Sequence, residues 1–371
     1  VLTVSLQLAE ATSWAKIGHE IACFQHQISP GSCGQIPAAP ISSLPTINKS
    51  PHTLTIVTAK SNFTFSRASG LLRRWVGGSC PIVSESAEHR NALIPCFWRP
   101  PTDNDRVKAL AHWKSFGVDK MTSQLRSMRV DGNTTAGVIT LTTRTYIAPP
   151  SLGWGWNATT TYQIQSDGSA MSVFTSLEKP VGITPDHVPR MGFDIALTKT
   201  LNQVKWHGRG PGESYPDKQN SQRLGIWAVN DISQLLYPYD IPQESGNHTD
   251  TRWLELTTRG NGPVVKISAI SSPLPFGAIS DIKNGNGAID DSSLDDKCLL
   301  QHLFNFTATP YSAEVLEKAA HPHDLVEGDR TLLRLDAAVN GVGTAAVGPG
   351  PREDHLVKLT EASFGFILAL V

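Results

Sequence analysis

The chain carries the sequence WHGRGPGESYPD at residues 206–217, where a β-rich run ends and the backbone turns. Three glycines and two prolines lie within this stretch. Glycine adopts backbone angles that other residues avoid and proline fixes φ, so the chain is tightly constrained here. Polar side chains at Arg209, Glu213, Tyr215 and Asp217 stand on this backbone. Such a pattern indicates a built site and is not typical of a spacer.

Outside this turn, the sequence is dominated by short runs of β-branched and aromatic residues bounded by Gly, Pro, Asn or Asp. Only two helices are predicted, residues 107–116 and residues 313–320 with Ser312 as N-cap. Many strands and few helices predict an all-β fold, a large antiparallel two-sheet sandwich. The main predicted strands are residues 54–58, 138–146, 159–164, 171–176, 192–197, 253–258, 264–270, 299–306, 331–335 and 364–370.

Proline and glycine divide the chain near its start. Residues 1–28 alternate as strands of a sandwich do, and they are too short to form a domain alone. Residues 29–51 contain five prolines and two glycines, a composition that predicts a linker. Residues 52–371 are then predicted to form the large sandwich. Residues 281–291 lack the oxygen spacing of a calcium loop and are interpreted as a hairpin tip.

Composition excludes several classes of partner. The formal net charge is -1 and the basic residues are scattered, so neither nucleic acid nor an anionic membrane is expected to bind. No apolar run is long enough for a membrane helix. The cysteines show neither a CxxC motif nor a Cys/His quartet, which argues against a zinc site and favours reduced thiols. A cytoplasmic location is expected, and secretion is the less favoured alternative.

Two further runs accompany the turn, FWRPPTDND at residues 97–105 and YDIPQESGNHTD at residues 239–250. Together with residues 206–217 they resemble the C-terminal domain, or separate small chain, of the β-galactosidases of glycoside hydrolase family 2. The resemblance implies a sandwich similar to galactose mutarotases for residues 52–371. It also implies that residues 1–28 are the last strands of an immunoglobulin-like domain, so that the sequence would begin inside that domain.

The resemblance places part of a sugar pocket in the first of these runs. Arg99, Asp103, Asn104 and Asp105 resemble the family's signature on the pocket wall, with Pro100 where alanine is usual. Asp103 and Asp105 are equally suited to fix a tight turn through side-chain hydrogen bonds, and both interpretations stay open.

A second part of the pocket wall is implied near the C-terminus. Residues 341–350 resemble the loop that carries, in the family, a tryptophan or a cysteine near the sugar at the aglycone side. Val347 stands there in this chain. Since valine offers no flat aromatic face for the sugar, weaker discrimination is expected at that subsite.

No catalytic residue is assigned to this chain. A retaining β-glycosidase needs two carboxyl groups about 5–5.5 Å apart. In the resembled family both are glutamates on a β/α barrel, and this sequence lacks the alternating strand and helix pattern of a barrel. The polar residues of the two turn-rich runs are interpreted as structural or sugar-binding, with the structural interpretation favoured: Arg209, Glu213, Tyr215, Asp217, Glu244 and Asn247.

These observations predict the C-terminal part or small chain of a β-galactosidase, which hydrolyses terminal β-D-galactosides such as lactose with retention. The partners expected are a barrel-bearing catalytic domain or large chain and the β-galactoside, and the chain is expected to form oligomers and to be inactive alone. No cofactor or metal is expected on this chain; by the resemblance, magnesium and sodium belong to the barrel domain.

Two alternatives remain at this point. The first is a self-sufficient sugar mutarotase, in which His207, His248, Glu213 and Glu244 would supply acid and base groups. The second is a non-catalytic carbohydrate-binding module. Turnover by the chain alone separates the first alternative from the leading hypothesis, and dependence on a partner separates the second.

Overall fold

The protein was analysed as a computed structural model that describes residues 1–26, 28, 45–84, 92–131, 137–260, 262–270 and 303–371. The predicted hairpin tip at 281–291, most of the predicted linker, the first residues of the predicted strand 299–306, Cys33 and Cys298 lie outside these residues. Within the described ranges, none of the helices is long and apolar enough to cross a membrane.

Among the described residues, one of the two large sheets has nine strands, numbered here in chain order, and all its described pairings are antiparallel. The C-terminal strand lies in the middle of this sheet. In spatial order the strands are β16 Arg223–Val229, β15 Gln203–Gly210, β18 Trp253–Thr257, β19 Val265–Ala269, β23 Ala362–Leu370, β12 Ala170–Leu177, β11 Trp156–Gln165, β10 Val138–Ala148 and β9 Thr122–Asp131.

The other large sheet has ten strands in the part of the chain that the structure describes. Its spatial order is β17 His248–Thr251, β20 Phe304–Thr309, β21 Arg330–Val339, β14 Arg190–Thr198, β7 Cys80–Ser84, β6 Leu72–Gly77, β5 Ser61–Ser66, β4 Thr53–Val57 and β3 Thr46–Lys49, with β8 Leu93–Cys96 also paired to β14. Smaller pairings join β1 Leu2–Gln7 to β2 Glu20–His26 and β13 His187–Val188 to β22 Val357–Lys358.

Aromatic side chains pack the two sheets face to face. The ring of Phe193 on β14 lies 5.3 Å from that of Phe364 on β23, and Phe65 on β5 lies 4.9 Å from Tyr162 on β11. Each pair joins one sheet to the other, so their inward faces share one core. The predicted all-β, antiparallel two-sheet sandwich is therefore confirmed.

The predicted helix at 107–116 is instead two short helices, α1 Asp103–Val107 and α2 Ala109–Ser115. The first starts early because Thr102 caps it and Asp105 bonds back to the Thr102 backbone, a capping box that the prediction overlooked. Lys108, with φ of -135°, interrupts the helix between them. The other predicted helix is confirmed as α3 Ala313–Lys318, capped by Ser312.

The start of the sandwich differs from the predicted boundary. Strand β3 pairs with β4 in the ten-stranded sheet, so residues 46–49, placed in the linker by composition, belong to the sandwich. Pro45 and Pro51 flank this strand and Ile47 packs against the core, which explains how a short strand fits between prolines. The rest of the domain division stays a prediction.

Candidate functional site

Four segments meet around a polar cleft of about 400 Å³. They are the start of α1, the turn after β15, residues 239–244 and the loop 341–350. These include parts of all three sequence runs that were singled out before the fold was considered. Five predicted site residues line the cleft: Asp103, Asn104, Glu213, Tyr215 and Glu244.

Glu213 lies at the wall of the cleft with both carboxylate oxygens occupied. Its Oε1 accepts hydrogen bonds from Lys218 Nζ at 2.7 Å and from the Tyr239 hydroxyl at 3.0 Å. Its Oε2 accepts from the Gly246 amide at 3.0 Å. A carboxylate with these partners ties two turns together, which favours the structural interpretation of Glu213.

Glu244 connects the cleft to the interior. Its Oε2 accepts a hydrogen bond from Arg334 Nη1 at 3.1 Å, and its Oε1 accepts from the Tyr215 hydroxyl at 3.5 Å. Burial raises the pKa of Glu244, although Arg334 opposes the shift. Burial likewise raises the pKa of Tyr215, and neighbouring Glu244 adds to the rise. The Tyr215 hydroxyl therefore stays protonated and can act as a donor.

Arg99 and Asp105 correct the predicted pocket wall. Both are buried beneath it, where Arg99 Nη1 lies 3.0 Å and Arg99 Nη2 3.2 Å from the Asp105 carboxylate. Asp105 also accepts from the Thr102 amide at 2.8 Å. The pair therefore holds α1 in place and cannot touch a ligand in the cleft, which is the turn-fixing role that the sequence left open.

Asp103 stays at the cleft surface. Its amide donates to Gln243 Oε1 at 3.0 Å, and its Oδ2 accepts from Gln243 Nε2 at 3.1 Å. This reciprocal pair joins α1 to the segment before β17. Gln243 was not among the predicted site residues, although it lies within the run that was singled out.

Arg209 and Asn247 lie outside the cleft lining and serve the framework. Arg209 Nε pairs with Asp250 at 2.5 Å, and its Nη1 donates to the Gln222 carbonyl at 3.2 Å. Asn247 is fully buried and donates from Nδ2 to the Ser214 carbonyl at 2.7 Å. Both therefore brace the turn after β15.

Asn104 and Asp217 hydrogen-bond to the loop 341–350. Asn104 Nδ2 donates to the carbonyls of Val342 and Gly343 at 2.9 and 2.8 Å. Asp217 accepts from the amides of the same two residues at 3.0 and 2.7 Å. At the end of this loop the Val347 side chain is 98% exposed.

The two histidines of the mutarotase alternative do not line the cleft. His248 is buried, with its ring nitrogens facing the Gly246 carbonyl at 2.9 Å and the Pro211 carbonyl at 3.3 Å. Burial lowers the pKa of His248 to about 4. His207 on β15 packs its ring 6.1 Å from Trp253. Within the described residues, neither ring forms a hydrogen bond with Glu213 or Glu244.

Behind the cleft lies a charge cluster that the sequence analysis missed: Arg190, Asp194, Glu244, Arg334 and Asp336. Four of its members are buried, and the Asp194 side chain is 40% exposed. Arg190 donates to Asp336 at 2.6 Å and to Asp194 at 2.7 Å, and Arg334 Nε lies 3.9 Å from Asp194. Three carboxyl groups face two guanidinium groups, so full ionisation would leave surplus negative charge. Burial raises the pKa of Asp336 to about 7, against the pull of Arg190.

The free energy of unfolding of an Asp336→Asn variant, relative to that of the unmodified protein, is expected to increase as pH rises from 3.8 to about 7. The folded-state pKa of about 7 exceeds the ordinary value of 3.8, so the folded state holds a proton that the unfolded chain releases. The associated stability is present below pH 3.8 and is lost as pH rises through 7. Asparagine stays neutral and removes this loss. Urea unfolding of both proteins across the range measures the difference.

The unmodified protein alone would not reveal this effect, because His248 acts in the opposite direction. Its pKa falls from 6.5 to about 4 on folding, so its contribution to stability rises with pH between these values. The comparison with Asp336→Asn cancels that contribution. Parallel stability curves for the two proteins would contradict the raised pKa of Asp336.

Across the described part of the chain, no group of three or more His, Cys, Asp or Glu side chains is placed to hold a metal ion. Cys23, Cys80 and Cys96 are free thiols. The chemistry that the cleft offers is therefore hydrogen bonding by Asp103, the two tyrosines Tyr215 and Tyr239, and Lys218, on a framework held by ion pairs.

The fold and the cleft define a large two-sheet β-sandwich domain with a polar, loop-built site. The family model described as the β-galactosidase small chain matches residues 58–368, most of the sequence. The chain therefore belongs to the β-galactosidase small-chain family.

Curated relatives named β-galactosidase match the chain over much of its length. The protein of Kluyveromyces lactis is 32% identical over 273 residues, which cover 74% of this chain and 23% of the relative. That of Vibrio cholerae is 27% identical over 353 residues, covering 92% and 29%. The chain thus spans less than a third of the length of either relative.

Solved structures also resemble the chain. A galactose mutarotase-like protein from Lactobacillus casei aligns with a TM-score of 0.40 at 9% identity, covering 86% of this chain and 100% of that one. The galactosidase domain of an α-galactosidase–sucrose kinase aligns with a TM-score of 0.40 at 9% identity, covering 88% of this chain and 42% of that one.

Proposed function

We propose that this chain is the C-terminal part or small chain of a β-galactosidase that hydrolyses terminal β-D-galactosides such as lactose with retention. Its role is to complete the sugar pocket, while the catalytic glutamates lie on a barrel-bearing domain or large chain. The observation that carries this proposal is the family match over residues 58–368. The cleft supports it, because its loops include the two segments for which the resemblance implies a pocket wall.

The state of the cleft carboxylates supports placing the catalytic pair elsewhere. A retaining nucleophile must be free to attack the anomeric carbon, and its partner must exchange a proton with the leaving group. Glu213 accepts three hydrogen bonds, and Glu244 is buried against Arg334. Neither carboxylate is poised for that chemistry.

Exposed apolar side chains on the β1–β2 hairpin support association with the rest of the enzyme. Val4, Leu6, Phe24 and the nearby Trp14 are all exposed. Exposing such an apolar surface to water is unfavourable, so a domain that covers it would stabilise the hairpin. We assign that role to the remainder of the β-galactosidase, since curated relatives are more than three times as long as their match to this chain. Without that covering domain, the isolated chain is expected to form oligomers through this exposed apolar surface.

Magnesium and sodium, if the complete enzyme uses them, are assigned to the barrel, and no step is routed through a metal on this chain. The free thiols at Cys23, Cys80 and Cys96 support a reducing compartment, and we infer a cytoplasmic location.

Activity is expected only when the chain is combined with a barrel-bearing partner. The partner for this test is the Kluyveromyces lactis relative lacking the segment that this chain matches, and the signal is nitrophenol release from a nitrophenyl β-galactoside. The chain alone should be silent because the carboxylates that line its cleft, among the residues described, offer no free pair for catalysis. Activity on mixing should rise with chain concentration and saturate as the complex forms.

Two controls make the result decisive. The partner fragment alone sets the background, and this chain unfolded before mixing tests whether the folded sandwich is required. Turnover by the purified chain, or no gain over the fragment alone despite complex formation by sedimentation, would overturn the proposed function.

A further inference from the structure

The loop 341–350 is largely exposed, yet many hydrogen bonds hold its backbone. Besides the four bonds from Asn104 and Asp217 described above, the Ala346 amide donates to Asn104 Oδ1 at 2.9 Å. Within the loop, the Thr344 amide donates to the Pro349 carbonyl at 3.0 Å and the Val347 amide to the Thr344 carbonyl at 2.9 Å. Two side chains from distant segments thus satisfy five backbone groups of one loop.

The glycines of the loop fit this arrangement. A Cβ atom on Gly341 would lie 2.7 Å from the Asp217 carboxylate carbon, so only glycine admits the Asp217 side chain at this distance. Gly343 has φ of +58°, a left-handed angle that glycine adopts without strain. The spacing Gly341-x-Gly343 and the carboxylate of Asp217 therefore belong to one structural device.

A gain in overall stability does not by itself explain why five hydrogen bonds hold this exposed loop. Three of the five hydrogen bonds are exposed, where water competes for the same groups and limits what each bond adds to stability. The end of the loop carries the exposed Val347. What the five bonds supply is a fixed shape, since a loop held at both carbonyls and amides of residues 342 and 343 has few alternative conformations.

We propose that Asn104 and Asp217 are positioning residues: they form a clamp that sets the shape of loop 341–350 at the mouth of the cleft, and they do not bind sugar. The clamp stands on the hydrogen bonds alone. Its consequence for substrate rests on the proposed function, because that function places the loop beside the aglycone. The inference gives Asn104, which the resemblance places on the pocket wall, a positioning role, and it agrees with the favoured structural interpretation of Asp217.

The first test uses hydrogen exchange resolved to single amides on the full chain. In Asp217→Asn, one oxygen remains to accept while the new amide group faces a second donor, so at least one bond is lost. The amides of Val342 and Gly343 are then expected to exchange about 10-fold faster. Asp240→Asn is the matched control, because no hydrogen bond involves the exposed Asp240 side chain within the described residues. Asn104→Asp should accelerate the same region, since a carboxylate cannot donate to the Val342 and Gly343 carbonyls.

The second test measures steady-state kinetics after mixing with the barrel-bearing partner. Asp217→Asn is expected to lower kcat/KM by about 10-fold, with the loss differing between lactose and a nitrophenyl galactoside, while affinity for the partner stays unchanged and the unfolding midpoint falls only slightly, as the loss of one surface hydrogen bond implies. A merely structural residue would affect the two substrates equally.

Each outcome decides a different part of the proposal. Unchanged exchange at Val342 and Gly343 would overturn the clamp. Faster exchange with unchanged kinetics for both substrates would overturn its role in the pocket. If the unmodified mixture is inactive, the proposed function fails, and hydrogen exchange still decides whether Asn104 and Asp217 hold the loop.

Discussion

Replacing Arg190 with methionine is expected to lower the free energy of unfolding by about 3–5 kcal/mol. The guanidinium is 1% exposed and lies 2.6 Å from Asp336 and 2.7 Å from Asp194. Methionine fills similar space, so the main consequence is the loss of the charge that pairs with the buried Asp336, while Asp194 is 40% exposed and keeps Arg334 nearby. A buried carboxylate without its partner is strongly unfavourable, and breaking such a pair by removing one side costs more than the pair contributed.

Urea unfolding at neutral pH measures this change, with Arg129→Met as the matched control. Arg129 lies on β9 and pairs with Asp131 at the surface, where its side chain is largely exposed. A surface pair of this kind contributes little, so the control should stay within about 0.5 kcal/mol of the unmodified protein. If Arg190→Met lowers the free energy of unfolding by less than about 1 kcal/mol, the charge cluster does not hold β14 and β21 together.

Arg334→Met is the second substitution with a large expected effect, again about 3–5 kcal/mol. It leaves Glu244 buried with the Tyr215 hydroxyl at 3.5 Å as its remaining described hydrogen bond. Adding Glu244→Gln removes the uncompensated charge, so the double variant should recover at least half of the lost stability. The recovery measures the coupling between the two residues, which a sum of independent losses cannot produce.

The Glu244→Gln substitution also tests whether Glu244 has a structural or a catalytic role. Glu244→Gln alone keeps the shape of the side chain and the Arg334 contact, and it should leave reconstituted galactosidase activity within about 3-fold if Glu244 is structural. No recovery in the double variant would contradict the proposed pairing. Loss of activity in folded Glu244→Gln would contradict the structural role of this carboxylate.

The fold was predictable where strands are long and alternate. Strand β10 combines β-branched and aromatic residues with period-two patterning, and its burial follows that pattern. Strand β23 was found by its aromatic and apolar run, and residues 364–368 of it are buried without alternation. Strand β6 was missed because Arg73 and Arg74 are adjacent and break the alternation. Such short strands are fixed by neighbours on both sides, and those neighbours come from distant parts of the chain.

The sequence predicted which motifs form the candidate site, but it predicted the roles of the individual residues less well. Constrained turns identified Glu213, Tyr215 and Glu244 because glycine, proline and polar side chains occur together there. Sequence could not tell Arg99 and Asp105, buried under α1, from Asp103 at the surface, since one helical turn sends neighbouring side chains to different sides. The charge cluster did leave a signal, Arg334 between Leu333 and Leu335 in β21, because a buried arginine requires partners.

The most direct test of the central claim is to trap the covalent glycosyl-enzyme of the reconstituted complex. A 2-fluoro-galactoside with a good leaving group reacts with the nucleophile of a retaining enzyme and leaves a stable ester, which peptide mass spectrometry locates. The account predicts that the label is found on the barrel-bearing partner and that none is attached to this chain. A label on Glu213, Asp217 or Glu244 would place the nucleophile in this sandwich and contradict the account.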